Sequence, residues 1–159
     1  MKPSEELDLI LSGMAGQTCW ATTGCASTGW QIGLHFGGSV ARDRESGGRF
    51  RNADLAQFDG EYIVFINSNW SFAVDGRPVH DEAPYGPDLE EAVETLVGCV
   101  LERASLKDDG LVLSLRGWSR AYTVVAWFER PNDFWILYGP STYVEVARSG
   151  TCARYRVDD

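Results

Sequence analysis

Two stretches of the chain carry the same punctuation. Glu5-Glu6-Leu7-Asp8-Leu9-Ile10-Leu11-Ser12-Gly13 and Glu90-Glu91-Ala92-Val93-Glu94-Thr95-Leu96-Val97-Gly98 both open on Glu-Glu and close on Leu-x-Gly, and a proline precedes each, Pro3 or Pro87. Proline is tolerated in a first helical turn, and acidic side chains there favour the positive end of the helix dipole. A glycine at the far end supplies the left-handed cap. Both stretches are therefore predicted to be short helices ending at Gly13 and at Gly98.

The segments after the two helices also repeat. Gly29-Trp30-Gln31-Ile32-Gly33-Leu34-His35-Phe36 alternates with a period of two, and so does Gly110-Leu111-Val112-Leu113-Ser114-Leu115, as half-buried antiparallel strands require. Asp108-Asp109-Gly110 is a turn signal, which predicts a hairpin over about 100–115. An apolar strand comes next in each half, Tyr62–Ile66 or Tyr122–Trp127, and then a strand opened by tryptophan, Trp70–Val74 or Trp135–Tyr138. Each half thus reads helix, strand, strand, strand, strand. Asp75 to Pro87, rich in Gly and Pro, is the expected connection.

A half, about 1–86 or 87–159, has one short helix and too little strand to bury a core alone, so each gains by packing on its twin. The expected architecture is α+β: two tandem helix-plus-antiparallel-strand half-repeats forming one β-rich domain over 1–159. Hydrophobic residues at 44%, with six Trp, six Tyr and seven Phe, are sufficient for such a core.

A net charge of −9 repels phosphate backbones, and the arginines at 42, 44, 49 and 51 are interrupted by Asp43, Glu45 and Gly47-Gly48, so they read as a solvated hairpin connection. No nucleic-acid partner is expected. Met1-Lys2-Pro3-Ser4-Glu5-Glu6 lacks the apolar stretch of a signal peptide, and no later window suits a membrane span. The expected address is cytoplasmic, where Cys19, Cys25, Cys99 and Cys152 are expected as free, buried thiols.

The pattern resembles a loosely defined set of small two-repeat α+β bacterial proteins, some found in settings typical of immunity proteins against secreted toxins. The resemblance is carried by the Leu-Ser-Gly helix end, by Ser27 to Gly37, by Asn69-Trp70, by the second copy from Leu96-Val97-Gly98 to Leu113, and by Phe134-Trp135-Ile136-Leu137. It implies a binding function and carries over no catalytic residue, because its motifs are glycine turns and strand aromatics.

The residues themselves yield no catalytic set. His35 and His80 are the two histidines. His35 falls out of phase with Trp30, Ile32, Leu34 and Phe36, which assigns it to the polar face with Gln31. Cys19 and Cys25 are wrongly spaced for a structural zinc site. Gly37-Gly38 and Gly47-Gly48 open no helix after a strand, so they cradle no phosphate. No cofactor and no metal are expected. Most tryptophans fall on strands and are expected to fill the core, whereas Trp118 follows Gly117 at a turn and is the one expected to be exposed.

These features favour a non-catalytic binding protein of the immunity type with a basic protein partner. Its candidate contact residues are His80, Asp81, Glu82, Tyr85 and Asp88 in the acidic loop, with Trp118. Two alternatives remain: a small-molecule-binding or enzymatic β-fold with its site between the halves, and a homodimer or larger assembly formed through sheet edges.

Overall fold

The computed structural model describes residues 2–24, 31–41, 58–79, 87–107 and 110–156. Helix α1 spans Pro3–Met14. Glu5 reaches back to accept the Lys2 backbone N–H at 3.1 Å, and Leu7, Ile10 and Met14 form the buried stripe. The helix does not stop at Gly13 as expected. Gly13 lies inside it because a Cβ there would come within 2.4 Å of the Tyr62 hydroxyl, and the left-handed residue is Gly16, at φ +87°. The second helix, α2 (Pro87–Glu94), stops before the expected Gly98, which takes the left-handed conformation, at φ +94°, in the turn that follows.

Among the described residues, eleven strands form two antiparallel sheets. They are β1 (Cys19–Gly24), β2 (Ile32–Ala41), β3 (Phe58–Asn67), β4 (Asn69–Val74), β5 (Arg77–Pro78), β6 (Val100–Lys107), β7 (Gly110–Arg116), β8 (Ala121–Trp127), β9 (Phe134–Tyr138), β10 (Thr142–Ala147) and β11 (Gly150–Tyr155). One sheet has the order β1-β2-β3-β9-β10-β11 and the other β5-β4-β8-β7-β6. The hairpin expected over 100–115 is β6 and β7. Of the alternating run expected from Gly29, Gly29 and Trp30 lie outside the described residues, and the strand spans Ile32 to Ala41. The hairpin β10–β11 was not anticipated.

Each sheet holds a three-stranded meander extended by strands from elsewhere in the chain, β9-β10-β11 in the six-stranded sheet and β4-β5 in the five-stranded one. The β1-β2-β3 meander receives β9, and β6-β7-β8 receives β4. Two crossings make this possible. Between β3 and β4 the crossing residue is Ser68, whose Oγ accepts the Trp135 indole N–H at 2.8 Å. Between β8 and β9, the buried Asp133 carboxylate accepts the N–H groups of Glu129 and Arg130, both at 2.8 Å, and Phe128 stacks on Trp135 at 4.1 Å.

One core draws on both sheets and both helices. Trp135, Phe36, Phe72, Ile32, Leu34, Ile66, Leu111, Leu113 and Leu115 are fully enclosed, and Val93 and Leu96 anchor α2. The strand-to-strand alternation therefore works as expected for Ile32, Leu34 and Phe36. The meanders meet where each leaves its helix. Gly16 N–H donates to Leu101 C=O at 2.7 Å and Gly98 N–H to Cys19 C=O at 2.7 Å. Leu101 N–H donates to Gln17 C=O at 2.9 Å and Cys19 N–H to Cys99 C=O at 2.8 Å, around a bridge between Thr18 and Val100.

Helix α1 lies against β9, β10, β11 and the edge of β6, and the Thr142 hydroxyl donates to Glu6 at 3.0 Å. The chain is closed by Arg156. Its guanidinium donates to the carbonyls of Glu61 (2.8 Å), Gly139 (3.0 Å) and Gly60 (2.8 Å), which fastens the segment after β11 to β3 and β9. Among the described residues no helix is long and apolar enough to cross a membrane.

Candidate functional site

At the end of the five-stranded sheet, β7 turns into β8 through Gly117-Trp118-Ser119-Arg120, closed by a Gly117 N–H to Arg120 C=O bond of 2.9 Å. A side chain at Gly117 would press on the Tyr122 ring at 3.1 Å and on Cys99 Sγ at 3.3 Å, so the turn is seated on the core beside the α2–β6 connection. Trp118 itself touches almost nothing and is 104% exposed. Leaving a full indole in water forgoes about 2 kcal/mol or more of burial free energy, which makes the position costly unless something covers it.

The turn is braced. Arg120 donates to the Asp75 carboxylate at 3.1 Å, and the other Asp75 oxygen accepts the Ala121 N–H at 2.8 Å. The Asp75 N–H donates to Ala121 C=O at 2.7 Å, with Asp75 held at φ +51° in the β4–β5 turn. Arg116 pairs with Glu102 across the β7–β6 ladder. Two further apolar side chains stand exposed nearby, Val97 at 48% and Val100 at 38%, the latter directly opposite Arg116. The result is an apolar end, rimmed by arginine and acid, on rigid supports. That composition suits an interface anchor, since tryptophan and arginine dominate such anchors.

The expected exposure of Trp118 is thus observed. Val97 and Val100 were not singled out from the sequence, although valines flanking the Gly98 cap are the signal that points to them. Of the acidic-loop candidates, His80, Asp81, Glu82 and Tyr85 lie outside the described residues, and Asp88 stands in the first turn of α2. The remaining tryptophans divide. Trp135 is enclosed, Trp70 packs on the core from a half-buried position, and Trp127 is 37% exposed, so the expectation that strand tryptophans fill the core holds fully for Trp135 alone among these three.

His35 departs from its expected place on an exposed polar face. It is 4% exposed, its Nδ1 accepts the Gly60 N–H at 3.0 Å, and its ring lies 5.5 Å from that of Trp20. The lone pair a metal would need is spent on the backbone. The Trp20 indole nitrogen is buried with no hydrogen-bond partner among the described residues. Alternation identified the sheet face of His35 correctly, but a face away from the core is not the same as an open one.

The thiols are free, as expected, at Cys19, Cys99 and Cys152, while Cys25 lies outside the described residues. Burial pushes Cys19 up to about 12 and also raises Cys99, so neither offers a thiolate near neutral pH. Cys152 is exposed on β11, against the expectation of burial. Among the described residues no group of three His, Cys, Asp or Glu side chains is placed to hold a metal ion. No family model, no curated protein and no solved structure matches the chain.

Proposed function

We propose that this is a non-catalytic, cytoplasmic binding protein of the immunity type that neutralises a basic protein partner, with Trp118 as the anchor of its contact surface. The observation that carries the reading is the fully exposed indole on a turn that is itself held rigid. A braced turn leaves less backbone freedom to lose when its exposed aromatic side chain is covered. The net charge of −9 supplies long-range attraction to a basic surface and predicts salt-sensitive association. The small-molecule alternative asks for a deep pocket between the halves; the centre of the molecule is filled by Trp135, Phe36 and Phe72, and a groove joins the halves between α1 and β6.

The reading extends to the architecture, which we take to be two tandem half-repeats. Exchanging Gly16 with Gly98, Gln17 with Cys99, Thr18 with Val100 and Cys19 with Leu101 maps the inter-sheet hydrogen bonds onto themselves. The register irregularities fall at Cys19/Ala21 and at Leu101/Arg103, which the same exchange relates. Trp135 pairs with Ile66 on β3, and Trp70 pairs with Ala126 on β8, so each tryptophan strand completes the other half's meander.

The test is capture by the tagged protein in lysate of its native host, at low and high salt, beside Trp118→Ala. A basic protein released by salt, inhibited in its own activity by the wild-type chain and bound at least ~10-fold more weakly by the variant, supports the reading. A partner held equally by both proteins removes Trp118 from the surface. Partners that are acidic or salt-indifferent overturn the electrostatic part.

A further inference from the structure

A groove of about 420 Å³ runs between α1 and β6, walled by Asp8, Leu11, Ser12 and Ala15 on the helix and by Glu102 to Leu106 on the strand. Among the described residues, strand β6 is the last strand of its sheet. Its outer edge is already filled at one end by the chain itself, because Leu101 spends both its N–H and its C=O on Gln17 and Gly16. Beyond Leu101 that segment runs back through Ala15 into α1, which forms the far wall of the groove, and among the described residues no further backbone bond is made to this edge of β6.

The direction of the remaining backbone groups follows from register. Leu101 bonds outward, so its pairing with Leu115 is a non-hydrogen-bonded one. Counting along β7 in steps of two, the pairs Leu113 with Ala104 and Leu111 with Leu106 are of the same kind. The N–H and C=O of Ala104 and Leu106 are therefore aimed across the groove. Their side chains, with Leu11, are only partly buried although they pack on the core. An added strand would cover them and satisfy the edge at once.

We infer that the free edge of β6 accepts an extended segment of a partner polypeptide by antiparallel strand addition, with small apolar side chains turned toward α1 and acidic side chains set beside Arg103 and Lys107. The sign of the charge comes from the opposite face of β6. Arg103 and Lys107 pair with Ser114 and Gly110 there, both are exposed, and an incoming strand places its outward side chains directly beside them. Opposite charges at ~5 Å across a ladder are favourable and like charges are not. The chain's net negative charge acts over longer distances, which salt screens beyond roughly 8–10 Å; of the acids walling the groove, Glu102 is paired with Arg116 and Asp8 stands on α1, on the side to which the incoming strand turns its apolar side chains, so Arg103 and Lys107 decide. The same two cations argue against a second copy as the occupant. The register that pairs Arg103–Lys107 with itself sets Arg103 of one copy against Lys107 of the other. Neither Trp118 nor a basic partner is needed for this inference, which stands or falls separately from that reading.

The test uses the full chain and the peptide acetyl-Glu-Val-Glu-Val-Glu-amide, with its lysine counterpart as control. Expected is slowed hydrogen exchange at the amides of Ala104 and Leu106 on adding the glutamate peptide. Ala104→Pro should weaken binding at least ~10-fold with the fold intact, since that N–H makes no bond to β7 and proline is tolerated on an edge facing outward. Arg103→Glu combined with Lys107→Glu should reverse the preference in favour of the lysine peptide, and it carries the test should the proline variant not fold. Unprotected amides at millimolar peptide overturn the proposal, as does unchanged binding by Ala104→Pro. Equal binding of the two peptides by the wild type overturns the charge assignment. A dimer in light scattering with both amides already protected gives the edge to a second copy, and the proposal falls.

Discussion

The two meanders have the same internal register and opposite outer faces. In β6-β7-β8 the outward face of β7 and β8 includes Val112, Ser114, Thr123 and Val125, all half-buried, and β7 meets β8 through the short turn at Trp118. In β1-β2-β3 the corresponding face holds His35, which is buried and bonded to the Gly60 N–H, beside Trp20, and residues 42–57 separate β2 from β3. Inward positions in both are apolar and enclosed: Leu34 and Val64 in one, Leu113 and Val124 in the other. Shared topology is thus maintained from inside, where a changed volume costs stability. The outside is free to diverge.

The comparison can be broken at the crossing strands first. Trp135→Ala should cost about 3–5 kcal/mol in equilibrium urea unfolding, because it opens a cavity under Phe128 and removes the indole N–H that the Ser68 hydroxyl accepts. Trp70→Ala, at the matching place on β4 but half-buried, should cost clearly less. Equal losses would mean that the two crossings are energetically equivalent despite their different burial.

The helix contact comes next. Gly13→Ala should destabilise by about 1–3 kcal/mol through overpacking against Tyr62. Tyr62→Phe removes the hydroxyl that a Cβ would strike, so the double variant should recover much of that loss. Absence of any recovery would place the strain elsewhere in the turn of α1.

The outer faces differ most sharply at His35 and Ser114. His35→Ala leaves the Gly60 N–H without its acceptor and should cost about 1–3 kcal/mol. His35→Asn, which can present an oxygen to that N–H, should lose less. Ser114→Ala should stay within about 0.5 kcal/mol. A harmless His35→Ala would show that the buried face of the first meander contributes no more than the plain face of the second.

The effect that is smallest at neutral pH is a slope in alkaline pH. Cys19 has an ordinary value near 9 in the unfolded chain and is pushed up to about 12 by burial. Above pH 9 the unfolded chain gives up this proton while the folded one keeps it, so stability should fall with rising pH until about 12. Cys19→Ala should flatten that fall in alkaline urea titrations, even if it lowers stability overall. Leu101, in the same position at the other sheet, has no proton to lose.

The legible part of this protein was local. Turn signals and alternation located β6, β7, β8 and β9, the helix starts, and the exposure of Trp118. The pairing of β4 with β8 and of β3 with β9 was not legible, because such pairs are chosen by packing between distant segments rather than by spacing within one. The hairpin β10–β11 was missed for a different reason. Thr142 to Val146 alternates and Arg148-Ser149-Gly150 is a fair turn signal, but the first half offers no matching hairpin to prompt the comparison. Gly13 and His35 were misjudged because a glycine's partner and a face's cover are both tertiary facts. The acidic loop of His80, Asp81, Glu82 and Tyr85 falls outside the described residues, so its part in the site rests on sequence alone.

The exchange of β4 and β9 between sheets also sets a timetable for synthesis. When β3 leaves the ribosome its neighbour on one side is β2, and its other neighbour, β9, has yet to be translated. Strand β4 likewise precedes β8. At ~5–20 residues per second the nascent chain carries those open edges for several seconds. For this molecule, then, protection during translation is a requirement of the topology: the first meander can form early, but it cannot be finished until the second has been made.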